Sequence, residues 1–252
     1  MDKNSEKLVE TFHTIAKKGY IQGVSKSWGN IGLTFEKELG KSPDSKYDPD
    51  YEDIEIKCSS RFSRYPLYLF TIAFDGPSEN EILRLAEIYG HYDNDYKDKK
   101  VLFEKVSNKI IEGKKYNFML EVNRFQQKIY LAIYDEFGTL IEKQTYIRFD
   151  TLKKHLQTKL EKIAYVKASK KKIDDLDYYR YYSIFLYHLK NFDTFLNLID
   201  RNGLEISVIS RISKSGVDEG RYRNKNVVFS IRKENIFRLF DCYYQYDYDR
   251  VY

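Results

Sequence analysis

Between residues 47 and 60 the chain reads YDPDYEDIEIKCSS. Asp50 stands a short spacer ahead of the triplet Glu55-Ile56-Lys57, so two carboxylates and an ammonium crowd one stretch. On a strand, side chains alternate between faces, which sends Ile54 and Ile56 inward and Glu55 and Lys57 together to the other side. A turn ahead of that strand can swing Asp50 towards Glu55. The two carboxylates and the Ile56 carbonyl make an all-oxygen donor set suited to Mg²⁺, which keeps several of its waters. Lys57 would offset charge on a scissile phosphate and help position or deprotonate the attacking water, whose pKa the metal lowers. The same letters also fit an ordinary amphipathic strand carrying a solvated ion pair.

Several elements must position these groups. Leu8, Phe12, Ile15 and Ala16 predict a helix over 5–18, and Ile31, Phe35 and Leu39 a second one closed by Gly40. Glu36 falls beside that second apolar stripe, in position to supply a further carboxylate. A turn-rich loop, GKSPDSKYDPD, leads to strands expected at 52–58 and 65–74. Ser78 and Glu81 suggest a capping box opening a helix over 78–89. Three or four strands are expected from 101 to 148, then a helix over 150–162 with Asp150 as N-cap. A strand IAYVKAS, a polar run KKKIDDLD and a strand-like YYRYYSIFLY follow, then a helix over 190–201. The last quarter reads as the strand ISVISRI, a loop SKSGVDEGRYRNK, the strand NVVFSIR and a helix over 233–240. The tyrosine-rich tail DCYYQYDYDRVY reads as packing. Helices mixed with long antiparallel stretches indicate an α+β or mixed α/β fold.

Composition narrows the function. The 252 residues are 42% hydrophobic and 16% aromatic, enough for a sizeable core. A net charge of +5 is compatible with a polyanionic partner. The two cysteines, Cys58 and Cys242, have no metal-ligand spacing and point to a reducing compartment without disulfides. The four histidines are scattered, which argues against zinc, and no glycine-rich phosphate cradle is present. No membrane-spanning run or signal peptide is expected, so the protein reads as cytoplasmic.

The stretches GNIGLTFEKELG, PDYEDIEIKCSS and LYLFTIAFDGP resemble the N-terminal half of the MvaI/BcnI family of type II restriction endonucleases. That family is related to the repair nicking enzyme MutH within the PD-(D/E)XK nucleases. Further similar segments are FDTLKKHLQTKLEKIAYVKASKK, YYRYYSIFLY and ISVISRISKSG with VVFSIRKENIFRLF. The resemblance implies a PD-(D/E)XK core, a mixed sheet flanked by helices, and two lobes around a DNA cleft. It implies that Asp50, Glu55 and Lys57 form the catalytic core, and that Glu36 supports metal and water. Asp50, Glu55 and the Ile56 carbonyl would hold Mg²⁺. Residues 1–100 with parts of 101–175 would form the catalytic lobe, and about 176–252 with parts of 101–150 the recognition lobe.

Reading a DNA sequence needs side chains on base edges. In this family the C-terminal half supplies much of that readout, which here makes Lys214, Arg221, Arg223, Asn224 and Lys225 the candidates. Arg and Lys suit guanine, and Asn suits adenine. Family members that read CC-centre-GG sites carry His-Asp-His-like residues where this chain has Arg223-Asn224-Lys225, so their target does not carry over. Ser59, Ser60, Arg61, Arg64 and Lys170 to Lys172 are candidate phosphate contacts. The expected protein is a monomer with one active site that nicks the two strands of double-stranded DNA in turn, leaving 5′-phosphate and 3′-hydroxyl ends. A cognate methyltransferase is expected as a genetic partner rather than a bound subunit. The alternatives are a MutH-like repair nicking endonuclease and a non-cleaving sequence-specific DNA-binding protein.

Overall fold

The computed structural model describes residues 1–26, 29–41 and 48–248, with only the backbone described at 224 and 225. Residues 42–47 of the turn-rich loop, and the end of the tyrosine-rich tail, lie outside the described residues. In chain order the elements begin with α1 (Lys3–Lys17), β1 (Ile21–Gln22), α2 (Asn30–Glu38), β2 (Glu55–Ser60), β3 (Leu67–Ile72), α3 (Glu81–Tyr89) and β4 (His91–Tyr92). Next come β5 (Lys100–Lys105), β6 (Tyr116–Asn123), β7 (Lys128–Asp135), β8 (Leu140–Arg148), α4 (Phe149–Leu160), β9 (Lys162–Ile173) and β10 (Leu176–Leu189). The chain continues through α5 (Phe192–Asp200), β11 (Glu205–Ile212), β12 (Tyr222–Ile231), a 3₁₀ turn, α6 (Ile236–Leu239) and β13 (Phe240–Asp247).

These elements form two units from interleaved stretches of chain. Met1–Leu67, Leu156–Asn191 and Ile236 onward make the first, and Tyr68–His155 with Phe192–Asn235 the second. Residues 68–100 group with the second unit, and the last stretch of chain returns to the first. Strand pairing is the reason: β3 pairs with β12, while β13 pairs with β10.

In the first unit a five-stranded mixed sheet runs β1-β10-β9-β2, with β13 also against β10. Only β2 runs parallel, with Glu55 opposite Ile163 and Lys57 opposite Tyr165. A parallel pair needs a long connection, and the stretch between β2 and β9 supplies it. On one face of the sheet lies a core built from Leu8, Phe12 and Ile15 of α1, Phe35 of α2, and Ile54, Ile56, Val166, Tyr181 and Leu186. Asp2 caps α1 by accepting the Ser5 N–H at 2.9 Å, so the helix starts where its apolar spacing needs it.

The second unit holds a five-stranded sheet, β3-β12-β11-β5-β4, and a three-stranded antiparallel sheet, β6-β7-β8. Here α3 begins at Glu81 with Asn80 at the cap position and no side-chain cap bond. Ser78 bonds the Glu81 carboxylate at 2.7 Å instead of a backbone N–H. The Glu81 carboxylate is buried and neutralised by Arg84, which also pairs with Glu142. Likewise α4 starts at Phe149, so Asp150 sits in its first turn rather than at the cap.

The polar run, to which no element was assigned, and the last quarter complete the fold. The polar run 170–177 is mostly strand: β9 and β10 form a hairpin in which Ile173 faces Leu176 and Asp174 and Asp175 both have positive φ. That two-residue geometry matches the right-handed twist of the flanking strands. The helix expected over 233–240 shrinks to the 3₁₀ turn Lys233–Asn235 and the four residues of α6, and the tail beyond is β13. Its tyrosines, Tyr243, Tyr244 and Tyr246, are half-buried against the first unit's core.

Candidate active site

The segment ahead of β2 is a tight turn rather than the start of a strand. Tyr51 and Ile54 exchange both backbone hydrogen bonds, at 2.9 and 2.8 Å, and Glu52 between them takes a φ of 52°. The strand therefore begins at Glu55, not at 52. The turn folds Asp50 back along the strand, so that its Oδ2 accepts the Ile56 N–H at 3.1 Å. Alternation then acts as expected: Ile54 and Ile56 are buried in the core, while Glu55 and Lys57 share the opposite face.

Glu55 and Lys57 are both buried, and Lys57 Nζ donates to Glu55 Oε1 at 2.9 Å. Lys159, near the end of α4, lies 3.4 Å from the other oxygen, Oε2. It also donates to the Asp48 carbonyl at 2.7 Å. Asp50 has a similar second cation, with Lys41 Nζ 3.6 Å from its Oδ1 and 3.3 Å from the Pro49 carbonyl. Each carboxylate thus meets a lysine outside the 50–57 stretch.

Lys41 owes its position to the way α2 ends. The Lys41 N–H donates to the Glu36 carbonyl at 3.0 Å and the Gly40 N–H to the Lys37 carbonyl at 2.9 Å, with Gly40 at a φ of 82°. This Schellman closure uses the one residue type that takes that φ without steric cost, and it turns the chain so that Lys41 reaches Asp50. Gly40 was the readable signal for Lys41. Lys159 has no comparable local signal, since the parallel pairing of β2 with β9 brings it to Glu55.

Glu36 is half-buried on α2, which packs against β2. Its carboxyl is raised above the usual glutamate range, first by burial and then by the Asp50 charge, with Glu55 adding and Lys41 and Lys57 opposing. The three acids are therefore in electrostatic reach of one another. On β2 the Cys58 thiol is pushed well above its ordinary value by burial and by Glu36 and Asp50, which makes it a poor nucleophile. Cys58 and Cys242 are both free thiols.

The structure sorts the candidate DNA contacts. Ser59 is buried and shares a 2.7 Å hydrogen bond with the Tyr165 hydroxyl, so its side chain is turned to β9 rather than outward. Ser60 is half-buried; Arg61 and Arg64 are exposed in the loop after β2, with the Arg61 guanidinium 5.7 Å from the Tyr182 ring. Lys214 lies in the second unit, where its ammonium pairs with Asp93 and, at 2.9 Å, with Asp95. Arg221 is exposed and pairs with Asp218 at 3.3 Å. The expected loop over 213–225 ends early, because β12 begins at Tyr222. Arg223 is accordingly an exposed strand residue opposite Arg211, and Asn224 faces Ser210 across the ladder. The side chains of Asn224 and Lys225 lie outside what is described. Glu36, Asp50, Glu55 and Lys57 thus all lie in the first unit, and Lys214 to Lys225 in the second.

A sequence model of the MvaI/BcnI restriction endonuclease family matches residues 9–240. The chain belongs to that family. Among solved structures it is similar to a complex of restriction endonuclease MvaI with cognate DNA substrate, at 25% identity and a TM-score of 0.88, over 96% of this chain and 98% of that one. It is also similar in fold to MvaI in the absence of DNA, at 23% identity and a TM-score of 0.60, over 96% and 97% of the two chains. No curated protein sequence matches. Family membership carries the enzyme class, a type II restriction endonuclease and hence a site-specific deoxyribonuclease. No helix among the described residues is long and apolar enough to cross a membrane.

Proposed function

We propose that this family member is a Mg²⁺-dependent monomer with one active site, which hydrolyses phosphodiester bonds of double-stranded DNA at a short specific sequence. The observation that carries the reading is the buried Glu55–Lys57 pair on β2, with Asp50 held on the neighbouring backbone amide. In this reading Asp50, Glu55 and the Ile56 carbonyl hold the metal.

The donor set fits that ion. Among the described residues no three His, Cys, Asp or Glu side chains form a metal cluster. Mg²⁺ is usually held by one or two carboxylates plus water and substrate phosphate rather than by an all-protein cage. When bound, it supplies Lewis-acid chemistry, acidifying water and offsetting charge on the phosphoryl group.

The chain's own residues do the rest. Lys57, fixed by Glu55 in poorly solvated surroundings, presents a positive charge to the developing negative charge of the scissile phosphate. Glu36, with its raised carboxyl, holds or accepts a proton beside the attacking water. Arg61 and Arg64 contact phosphates, and Arg221, Arg223, Asn224 and Lys225 read bases. Duplex DNA as substrate is supported by the likeness to the DNA complex of MvaI. A cognate methyltransferase accompanies the enzyme genetically rather than as a subunit.

The test is to incubate the protein and its Lys57→Ala variant with unmethylated phage-scale DNA, with Mg²⁺ or with EDTA, and to sequence the fragment ends. Discrete fragments from the wild type alone, and only with Mg²⁺, are expected. Cleavage confined to methylated or mismatched DNA would move the protein to a modification-dependent or repair role. Binding without cleavage under every condition would sink the reading.

A further inference from the structure

Glu55 is shared between two lysines of different origin. Lys57 lies two residues along the same strand, whereas Lys159 comes from the unit's second stretch of chain, which begins at Leu156, and meets the opposite carboxylate oxygen. Topology places it there. Ile163 is the parallel partner of Glu55, and Lys159 lies four residues before Ile163, at the end of the helix that feeds β9. Its side chain is mostly buried, and its second bond to the Asp48 carbonyl ties it to the segment leading into Asp50.

We propose that Lys159 is a positioning residue that sets how readily Glu55 takes up a divalent cation, because its ammonium and the cation would both be drawn to the one Glu55 carboxylate. The inference rests on Glu55 being a metal ligand, as read above. A carboxylate can accept several partners, so the competition is electrostatic rather than a matter of vacant lone pairs. In a poorly solvated site a fixed ammonium repels a dication far more than it would in water. Lysine suits this part because its charge is a compact point on a long stem that reaches Glu55 from the end of α4.

Lys41 holds Asp50 in a parallel arrangement, through Oδ1 and the Pro49 carbonyl. It is the second place where the same competition can be read.

The test is a titration of the DNA-free protein with Mn²⁺, followed by the loss of the free-ion electron paramagnetic resonance signal. It uses the wild type, Lys159→Gln, Lys159→Arg and Glu55→Gln, each checked for folding by circular dichroism. Lys159→Gln is expected to lower the Mn²⁺ dissociation constant about tenfold. Lys159→Arg, which keeps the charge, stays near the wild type, and Glu55→Gln binds several-fold more weakly. A merely structural role for Lys159 cannot produce tighter metal binding. If Lys159→Gln binds like the wild type or worse while Glu55→Gln loses affinity, this inference is overturned and the reading of Glu55 stands. If Glu55→Gln binds like the wild type, Glu55 is not a ligand and both fall. Should Lys159→Gln fail to fold, Lys41→Gln carries the same test at Asp50, with tighter Mn²⁺ binding expected and unchanged binding overturning the proposal.

Discussion

Asp50 Oδ2 accepts the Ile56 backbone N–H at 3.1 Å, reaching over the turn that Tyr51 and Ile54 close. The carboxylate therefore has two separable duties: it holds the start of β2, and in the proposed function it ligates the metal. Asp50→Asn keeps an acceptor for Ile56 but removes the charge, whereas Asp50→Ala removes both. Cleavage should fall at least about 10²-fold in each. Stability should separate them, with Ala about 1–3 kcal/mol less stable in urea unfolding and Asn close to the wild type. Equal stability of the two variants would mean that the backbone bond contributes nothing.

Phe35 and Glu36 are neighbours on α2 with opposite relations to stability. The Phe35 ring is fully buried, 4.9 Å from the Tyr181 ring and 6.4 Å from that of Phe12. Phe35→Ala should cost about 3–5 kcal/mol. Glu36, by contrast, is raised by burial and by Asp50. A raised acid favours the folded state below the usual glutamate value, and that contribution is lost as pH rises through its folded value. Glu36→Gln should therefore be at least as stable as the wild type at pH 7, though impaired in cleavage. A marked loss of stability in Glu36→Gln would show that its carboxylate makes a necessary structural bond.

Acid should first loosen the join between α1 and β9. Asp2 is lowered to about 2 by the Ser5 N–H and by Lys162, and Asp53 is lowered by Lys162 and Asn4 against an opposing burial effect. Depressed carboxylates contribute stability that is present above the usual aspartate value and lost as pH falls through the folded value. Asp2 is well exposed, so screening holds its contribution to about 1 kcal/mol or less. Asp2→Asn, which keeps a capping acceptor, should flatten the decline in stability between about pH 4 and pH 2. An unchanged pH profile would show that the ion pair with Lys162 carries no weight in solution.

The shared face of Glu55 and Lys57 was legible because strand alternation is a local rule, and apolar spacing marked the helix that carries Glu36. Their proposed roles were not legible that way, because the same spacing fits an ordinary amphipathic strand and only the family resemblance singles these residues out. The turn at 51–54 was not, because Ile54 and Ile56 alternate as a strand would, and nothing in the letters forces Glu52 to a positive φ. Lys159 was invisible for a different reason: it meets Glu55 only through a parallel pairing that spans the whole second unit's first stretch. The tail was read as packing, and its tyrosines do pack. Acidic residues between them blurred the alternation, which hid β13. The 170–177 run had no element assigned to it, yet ladder hydrogen bonds ask only for extended backbone, so lysines on an exposed hairpin are no obstacle.

Lys214 and Arg223 were both expected to meet DNA, and the structure gives them different surroundings. The Lys214 ammonium already pairs with Asp93 and Asp95, whereas the Arg223 side chain is exposed on β12. A cation that trades one set of anions for another releases little counterion charge, while an exposed one that neutralises a phosphate contributes a slope of about 0.9 in log K against log salt. As a base reader, Arg223→Ala should leave the salt slope unchanged and lose about 1–3 kcal/mol of discrimination at one position. A slope flattened by about one unit would show instead that Arg223 neutralises a phosphate. Lys214→Ala should change the slope by less than half a unit, about the share left to an already paired charge, and lower stability modestly through Asp93. Binding isotherms of both variants with Ca²⁺ in place of Mg²⁺, over a range of salt, make the comparison. A full unit lost from Lys214→Ala would show that DNA pulls Lys214 out of its ion pairs, and that the pairing with Asp93 guards a contact rather than replacing one.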